Sequence, residues 1–142
     1  MHSSLSLAYL DPYNLQYLAF SIIEELSKVK KIDFAVHFST MDMIRNVDME
    51  LDPTRARFDE TAPGWREKFR VIEHSKQQLM KEFFAYWMGL VENCDFKFSQ
   101  KMPFILNNSG QSIYRMVFFS RSEFPNGIWD DIAKSPNREL DF

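Results

Sequence analysis

Apolar residues along the chain fall into short runs, and the period of each run assigns an element. Ser6 to Leu10 is apolar, short and bounded by Asp11-Pro12, which predicts a strand. Leu15, Leu18, Phe20, Ile22, Ile23, Leu26 and Val29 then recur at mostly helical spacing, with Glu24, Glu25 and Lys28 between them. Asn14 is placed to cap that helix, because its side-chain oxygen can accept from the first free backbone amides. Lys28, Lys30 and Lys31 close it, where positive charge suits the helix dipole. Ile32 to Ser39 carries Ile32, Phe34, Val36 and Phe38, with Ala35 apolar as well, and predicts a strand buried on both faces, as parallel strands are.

Met41 to Met49 predicts a short helix, and Leu51 to Gly64 a loop broken by Asp52-Pro53 and Ala62-Pro63-Gly64. Trp65 to Arg70 predicts a helical turn. Ser75 to Val91 predicts a long helix, with Leu79, Phe83, Trp87 and Leu90 in one stripe. Phe96 to Leu106 and Ser112 to Ser120 flank Asn107-Asn-Ser-Gly-Gln111, a turn rich in residues that accept positive φ, so they predict an antiparallel pair. Ile128 to Lys134 predicts a last helix, ended by Pro136. The order is a parallel βαβ start followed by an antiparallel hairpin, which is an α/β pattern.

Composition narrows the classes. The 142 residues are one domain's worth, 45% hydrophobic and 26% charged, with fourteen Phe, five Tyr and three Trp. The net charge of -3 argues against a free-standing nucleic-acid binder, which carries a basic footprint. A single cysteine, Cys94, excludes an intrachain disulfide and a cysteine-based metal site. No apolar run approaches the roughly 20 residues that span a bilayer. Met1 to Ser6 lacks the pattern of a secretion signal, so the expected location is cytoplasmic.

Candidate chemistry begins with Asp11-Pro12-Tyr13-Asn14. At the carboxyl end of a parallel strand, where open α/β sheets bind ligands, Asp11 and the Pro12 carbonyl can accept hydrogen bonds from an amine, and Tyr13 offers a ring to stack on a base. An Asp-Pro turn also ends strands with no function attached, and both readings stand. His37 is either a proton carrier or a satisfied, partly buried histidine. Arg45 can hold a phosphate or carboxylate bidentately, or lie on a solvated helix face. Arg55, Arg57, Arg66, Lys68 and Arg70 alternate with Phe58, Trp65 and Phe69, a mixture that single-stranded nucleic acid favours. Asp59, Glu60 and Glu67 dilute it. The three histidines are not spaced as metal ligands, and no glycine-rich phosphate loop occurs.

Several segments together resemble the three-Cys-motif partner family. They are Tyr9-Leu-Asp-Pro-Tyr-Asn14, Lys31-Ile-Asp-Phe-Ala-Val-His37-Phe, Met43-Ile-Arg-Asn46, Phe58-Asp59, Pro63-Gly-Trp65, Arg115-Met-Val-Phe-Phe-Ser120 and Asn126-Gly-Ile-Trp-Asp-Asp-Ile132. That family is similar to class I S-adenosylmethionine-dependent methyltransferases, whose sheet order is 3-2-1-4-5-7-6 with strand 7 antiparallel. The resemblance implies that residues 1–142 form a single partial Rossmann-like domain, the carboxyl half of such a fold, with a mixed sheet of about four strands in the order 4-5-7-6 and flanking helices. It implies that Asp11, Pro12 and Tyr13 are the catalytic motif IV that holds an amine or nucleobase, with Asn14, His37 and Arg45 around the substrate.

The same resemblance implies that S-adenosylmethionine serves the complete fold. Strand 4 begins a few residues after Met1, so the cofactor-holding half is expected upstream and no cofactor is expected on this chain alone. Strand 4 would then present an open edge. A protein partner or self-association through that edge is expected, with a three-Cys-motif protein and a nucleic-acid substrate as further members of the assembly. The other expectation is a non-catalytic interaction module, a truncated or split gene product.

Overall fold

The computed structural model describes residues 5–47, 49–52, 54–69 and 75–122. The final helix expected at Ile128–Lys134 and the Asn126–Ile132 segment lie outside the described residues, as do His2, Arg70 and His74. The fold is mixed α/β, with a mixed sheet of five strand segments and flanking helices.

β1 (Ser6–Leu10) and β2 (Ile32–Ser39) are parallel neighbours, in register from Ser6 opposite Ile32 to Leu10 opposite Val36. β5 (Ser112–Ser120) lies antiparallel on the other side of β2, from Asp33 opposite Ser120 to Ser39 opposite Tyr114. Beyond β5 run β3 (Lys97–Phe98) and β4 (Phe104–Leu106), both antiparallel to it. The sheet therefore has four lanes, and the fourth is split. The sequence predicts one continuous strand over Phe96–Leu106. The structure breaks it at 99–103, where Pro103 has no amide to donate to the ladder. The backbone instead makes isolated bonds, Ser99 N to Phe118 O at 2.9 Å and Met116 N to Pro103 O at 2.8 Å. The turn forms as expected: Gly110 has φ +79°, and the Asn107 side chain accepts from the amides of Ser109 and Gln111, each at 2.9 Å.

The helix expected from Leu15 to the lysines is also divided. A 3-10 turn, Leu15–Tyr17, precedes α1 (Phe20–Leu26), and Ala19 between them is extended at ψ 128°. The interruption is held from outside, since Phe20 N donates to Glu60 O at 2.8 Å and Thr61 Oγ1 donates to Leu15 O at 2.6 Å. Lys28, Lys30 and Lys31 follow the helix rather than close it. Three further helices are α2 (Thr40–Asn46), α3 (Trp65–Phe69) and α4 (Lys76–Glu92). Ser39 caps α2 and Ser75 caps α4, each side chain accepting from the amide three residues on.

Side chains alternate across a strand, so β2 sends Phe34, Val36 and Phe38 to one face. There they meet Val117 and Phe119 of β5, Ile23 of α1, Met43 of α2, Trp65 of α3, and Phe83 and Trp87 of α4 in one buried cluster. Phe34 stacks on Phe119 at 4.6 Å, and Trp87 sits 5.0 Å from Phe38. Burial of each such ring contributes about 1.5–3 kcal/mol. The opposite face begins differently. Leu5, just before β1, and Leu7 and Tyr9 of β1 are 65%, 59% and 56% exposed, and no described strand pairs with the outer edge of β1. Ser6 N donates to Lys31 O, so the amides of Leu7 and Tyr9 point away from β2 along that edge.

Candidate functional site

β1 and β2 run the same way, so their carboxyl ends open on one side of the sheet. One step beyond the last ladder pair, Leu10 opposite Val36, brings Asp11 beside His37. His37 Nδ1 lies 3.1 Å from Asp11 Oδ1, and His37 Nε2 lies 2.7 Å from the Tyr9 hydroxyl. Proton accounting settles the tautomer of neutral His37. A carboxylate only accepts, so Nδ1 carries the hydrogen, and Nε2 accepts from the Tyr9 hydroxyl. Partial desolvation, and secondly the Asp11 charge, push the Tyr9 phenol above its ordinary 10.0, so Tyr9 remains a donor at neutral pH. Asp11 is half-exposed while the His37 side chain is mostly buried. The carboxylate can thus accept from an amine in solvent, with a histidine behind it that orients it.

Tyr114 forms the other wall. Its ring lies 5.2 Å from His37, centre to centre, and it also lines a cavity of about 400 Å³ together with Tyr13, Asn14, Asp42, Arg45 and Arg57. Four of the sequence-predicted residues therefore share one region: Tyr13, Asn14 and Arg45 in the cavity, with His37 against its Tyr114 wall. Asp11 joins them through His37, and Pro12 is the partly buried turn between Asp11 and Tyr13. Tyr13 is 83% exposed, so its ring face is free for a ligand. Asn14 is extended and makes no side-chain cap bond. Asp42 of α2 supplies that function, its Oδ2 accepting from Leu15 N at 2.9 Å. A second cavity of about 570 Å³, more apolar, is lined by Met41, Ile44, Met80 and Phe104, and Arg45 borders both.

Sequence reasoning missed Tyr9, Asp42 and Tyr114 as site residues. A signal existed for Tyr9: it stands two positions before Asp11, which puts both on one face of a strand. The basic-aromatic stretch resolves differently from a nucleic-acid surface. Phe58 and Trp65 are fully buried, Arg55 and Arg57 each lie 3.5 Å from the buried Glu50, and Arg66 pairs with Asp59 at 2.7 Å and covers the Trp65 ring. Those aromatic rings are core, and the arginines organise the loop around Glu50.

Among the described residues no group of three or more His, Cys, Asp or Glu could hold a metal ion, and no helix is long and apolar enough to cross a membrane. The described residues do not fit S-adenosylmethionine either. The strand-to-helix turns here are Asp11–Asn14 after β1 and Ser39–Thr40 after β2, and neither contains glycine. The described glycines sit elsewhere: Gly64 before α3, Gly89 inside α4 and Gly110 in the β4–β5 turn. Comparison of the chain with family models, curated proteins and solved structures finds no match.

Proposed function

We propose that this chain is the amine-holding half of a methyltransferase-like assembly of the three-Cys-motif partner type. Asp11 and the Pro12 carbonyl orient the amine, Tyr13 stacks on the ring that bears it, and the donor is held by a second half that pairs with the outer edge of β1. The observation that carries the reading is the lane order β1-β2-β5-(β3, β4), with one parallel pair, an antiparallel β5 between its neighbours, and Asp11 at the carboxyl end of β1. Under this reading β1, β2, β5 and the split lane of β3 and β4 take the places of strands 4, 5, 7 and 6 of a methyltransferase sheet. The opposite face of the sheet buries Ala35 and Phe118 but leaves Leu7 and Tyr9 exposed. A second half would cover Leu5, Leu7 and Tyr9.

A second reading, a non-catalytic interaction module, is favoured by the same open edge and its three exposed apolar side chains. Both readings require association through β1. Light scattering of the 142-residue chain, alone and with cell extract, tests this. Association lost in Leu7→Lys is expected, since a lysine on an edge strand opposes pairing. A strictly monomeric chain of ordinary thermal stability that captures nothing refutes both. Methyl transfer by the captured assembly, abolished by Asp11→Ala with folding spared, separates the first reading from the second.

A further inference from the structure

We infer that the cavity between Tyr13, Arg45 and Arg57 is an anion site whose ligand is a nucleoside monophosphate bearing a free amino group. The phosphate end stands on the cavity alone. The amino end rests on the reading of Asp11 given above.

Two guanidinium groups face one carboxylate in this cavity. That carboxylate, Asp42, is already engaged: Oδ2 accepts from Leu15 N at 2.9 Å and Oδ1 from Asn46 Nδ2 at 2.6 Å. The arginines are less committed. Arg45, in the last turn of α2, is exposed, and its side chain makes no ion pair or hydrogen bond among the described residues. Arg57 is anchored through Nε, 3.5 Å from Glu50 Oε1, while its Nη2 is buried and makes no hydrogen bond. One arginine is thus held in place and the other is free to close on a ligand. A planar guanidinium fork suits phosphate oxygens, which accept two parallel hydrogen bonds from it, and Arg45 is the arginine free to present one.

The walls indicate what the phosphate is attached to. Tyr13 and Tyr114 bring two phenol rings to the cavity, and an aromatic base stacks on such rings irrespective of its sequence identity. Tyr114 also touches His37, whose other side holds Asp11, so the far end of a stacked ligand meets the Asp11–His37–Tyr9 chain. An exocyclic amine satisfies the acceptor presented there, whereas a carbonyl repels it. The cavity, about 400 Å³, lies within the range of small-ligand sites.

The test is calorimetric titration of the 142-residue chain with AMP, IMP and inorganic phosphate. Saturable binding is expected in the order AMP, IMP, phosphate, weakening as salt rises. Arg45→Gln is the first variant, because the Arg45 side chain makes no ion pair or hydrogen bond among the described residues. It is expected to weaken both nucleotides by about tenfold to a hundredfold, the effect of losing charge-assisted hydrogen bonds. Asp11→Ala is expected to erase the preference for AMP over IMP, by weakening AMP and by relieving the repulsion of the IMP carbonyl. No saturable nucleotide binding, or binding unchanged in Arg45→Gln, overturns the anion site. Phosphate binding as tight as AMP removes the stacking role of the tyrosines. Equal binding of AMP and IMP by the unmodified chain, with both lost in Arg45→Gln, keeps the anion site and removes the amino end together with the amine-holding reading of Asp11.

Discussion

Replacement of Glu50 bears on both the fold and the cavity, because Glu50 holds the loop that carries Arg57. Its side chain is fully buried. Oε1 accepts from the amide of Arg57 at 2.8 Å and from that of Phe58 at 3.2 Å, and the Arg55 and Arg57 heads each lie 3.5 Å away. The Glu50 carbonyl also accepts from Arg66 Nη1. Glu50→Ala leaves that carbonyl but strands two amides, at about 1–3 kcal/mol for each buried donor, and opens a space beside them. The two arginines are 43% and 36% exposed, so water takes over much of their charge and they add less than about 1 kcal/mol each. The sum for Glu50→Ala is about 3–5 kcal/mol. Glu50→Gln keeps an oxygen for the amides but loses the charge and turns an NH2 donor toward Arg55, so its loss is about 1–3 kcal/mol. Urea unfolding, followed by tryptophan fluorescence and by circular dichroism, should rank the unmodified chain above Glu50→Gln and Glu50→Ala last. A Glu50→Ala protein within about 0.5 kcal/mol of the parent, the range of a neutral surface change, refutes the assignment of Glu50 as the loop's organiser.

Gly64 has φ +86°, and a Cβ there would come within 2.7 Å of the Tyr86 hydroxyl, which donates to Pro63 O at 2.6 Å. Gly64→Ala should therefore lower stability by about 1–2 kcal/mol from backbone strain, with more from the contact, and a midpoint unchanged in thermal unfolding would contradict this. Burial, and then the charges of Asp11 and Glu67 respectively, raise the phenols of Tyr9 and Tyr86 above 10.0. Folding holds their protons more tightly than the unfolded chain does, so this stability is complete below 10.0 and falls as pH rises through the folded-state values. A Tyr9→Phe, Tyr86→Phe double variant should flatten the alkaline decline, and an unchanged slope would count against it. Burial first, then the nearby Glu24 charge, raise the Cys94 thiol above 9.0, so it should react with a disulfide reagent at neutral pH more slowly than free cysteine. Reaction as fast as that of the free amino acid would show an open, ionised thiol.

Much of the fold is legible along the chain wherever one local signal dominates. Ile32–Ser39 is a run of β-branched and aromatic residues that tolerates no amphipathic helix, and it is a strand with those bounds. Ser75 followed by a helical stripe starts α4, and Asn107–Gln111 closes the β4–β5 turn. Parallel pairing of β1 with β2 follows from a helical connection between two short strands. These features depend on a residue and its near neighbours, so the sequence alone determines them.

Tertiary structure decides the rest, because the deciding partner is distant along the chain. Leu15–Leu26 reads as one helix, yet Glu60 and Thr61 hold it open. Asn14 reads as a cap, yet Asp42 takes the Leu15 amide from 27 positions away. Arg57 reads as part of a charged run, and only a buried Glu50 and a shared cavity give it a direction. Asp11 and His37 are separate candidates in sequence, 26 positions apart, and become one hydrogen-bonded unit with Tyr9 when β1 and β2 align in register. Sequence assigns the strands and their turn chemistry through local propensity. Register and packing bring their ends together, and that is where the candidate site arises.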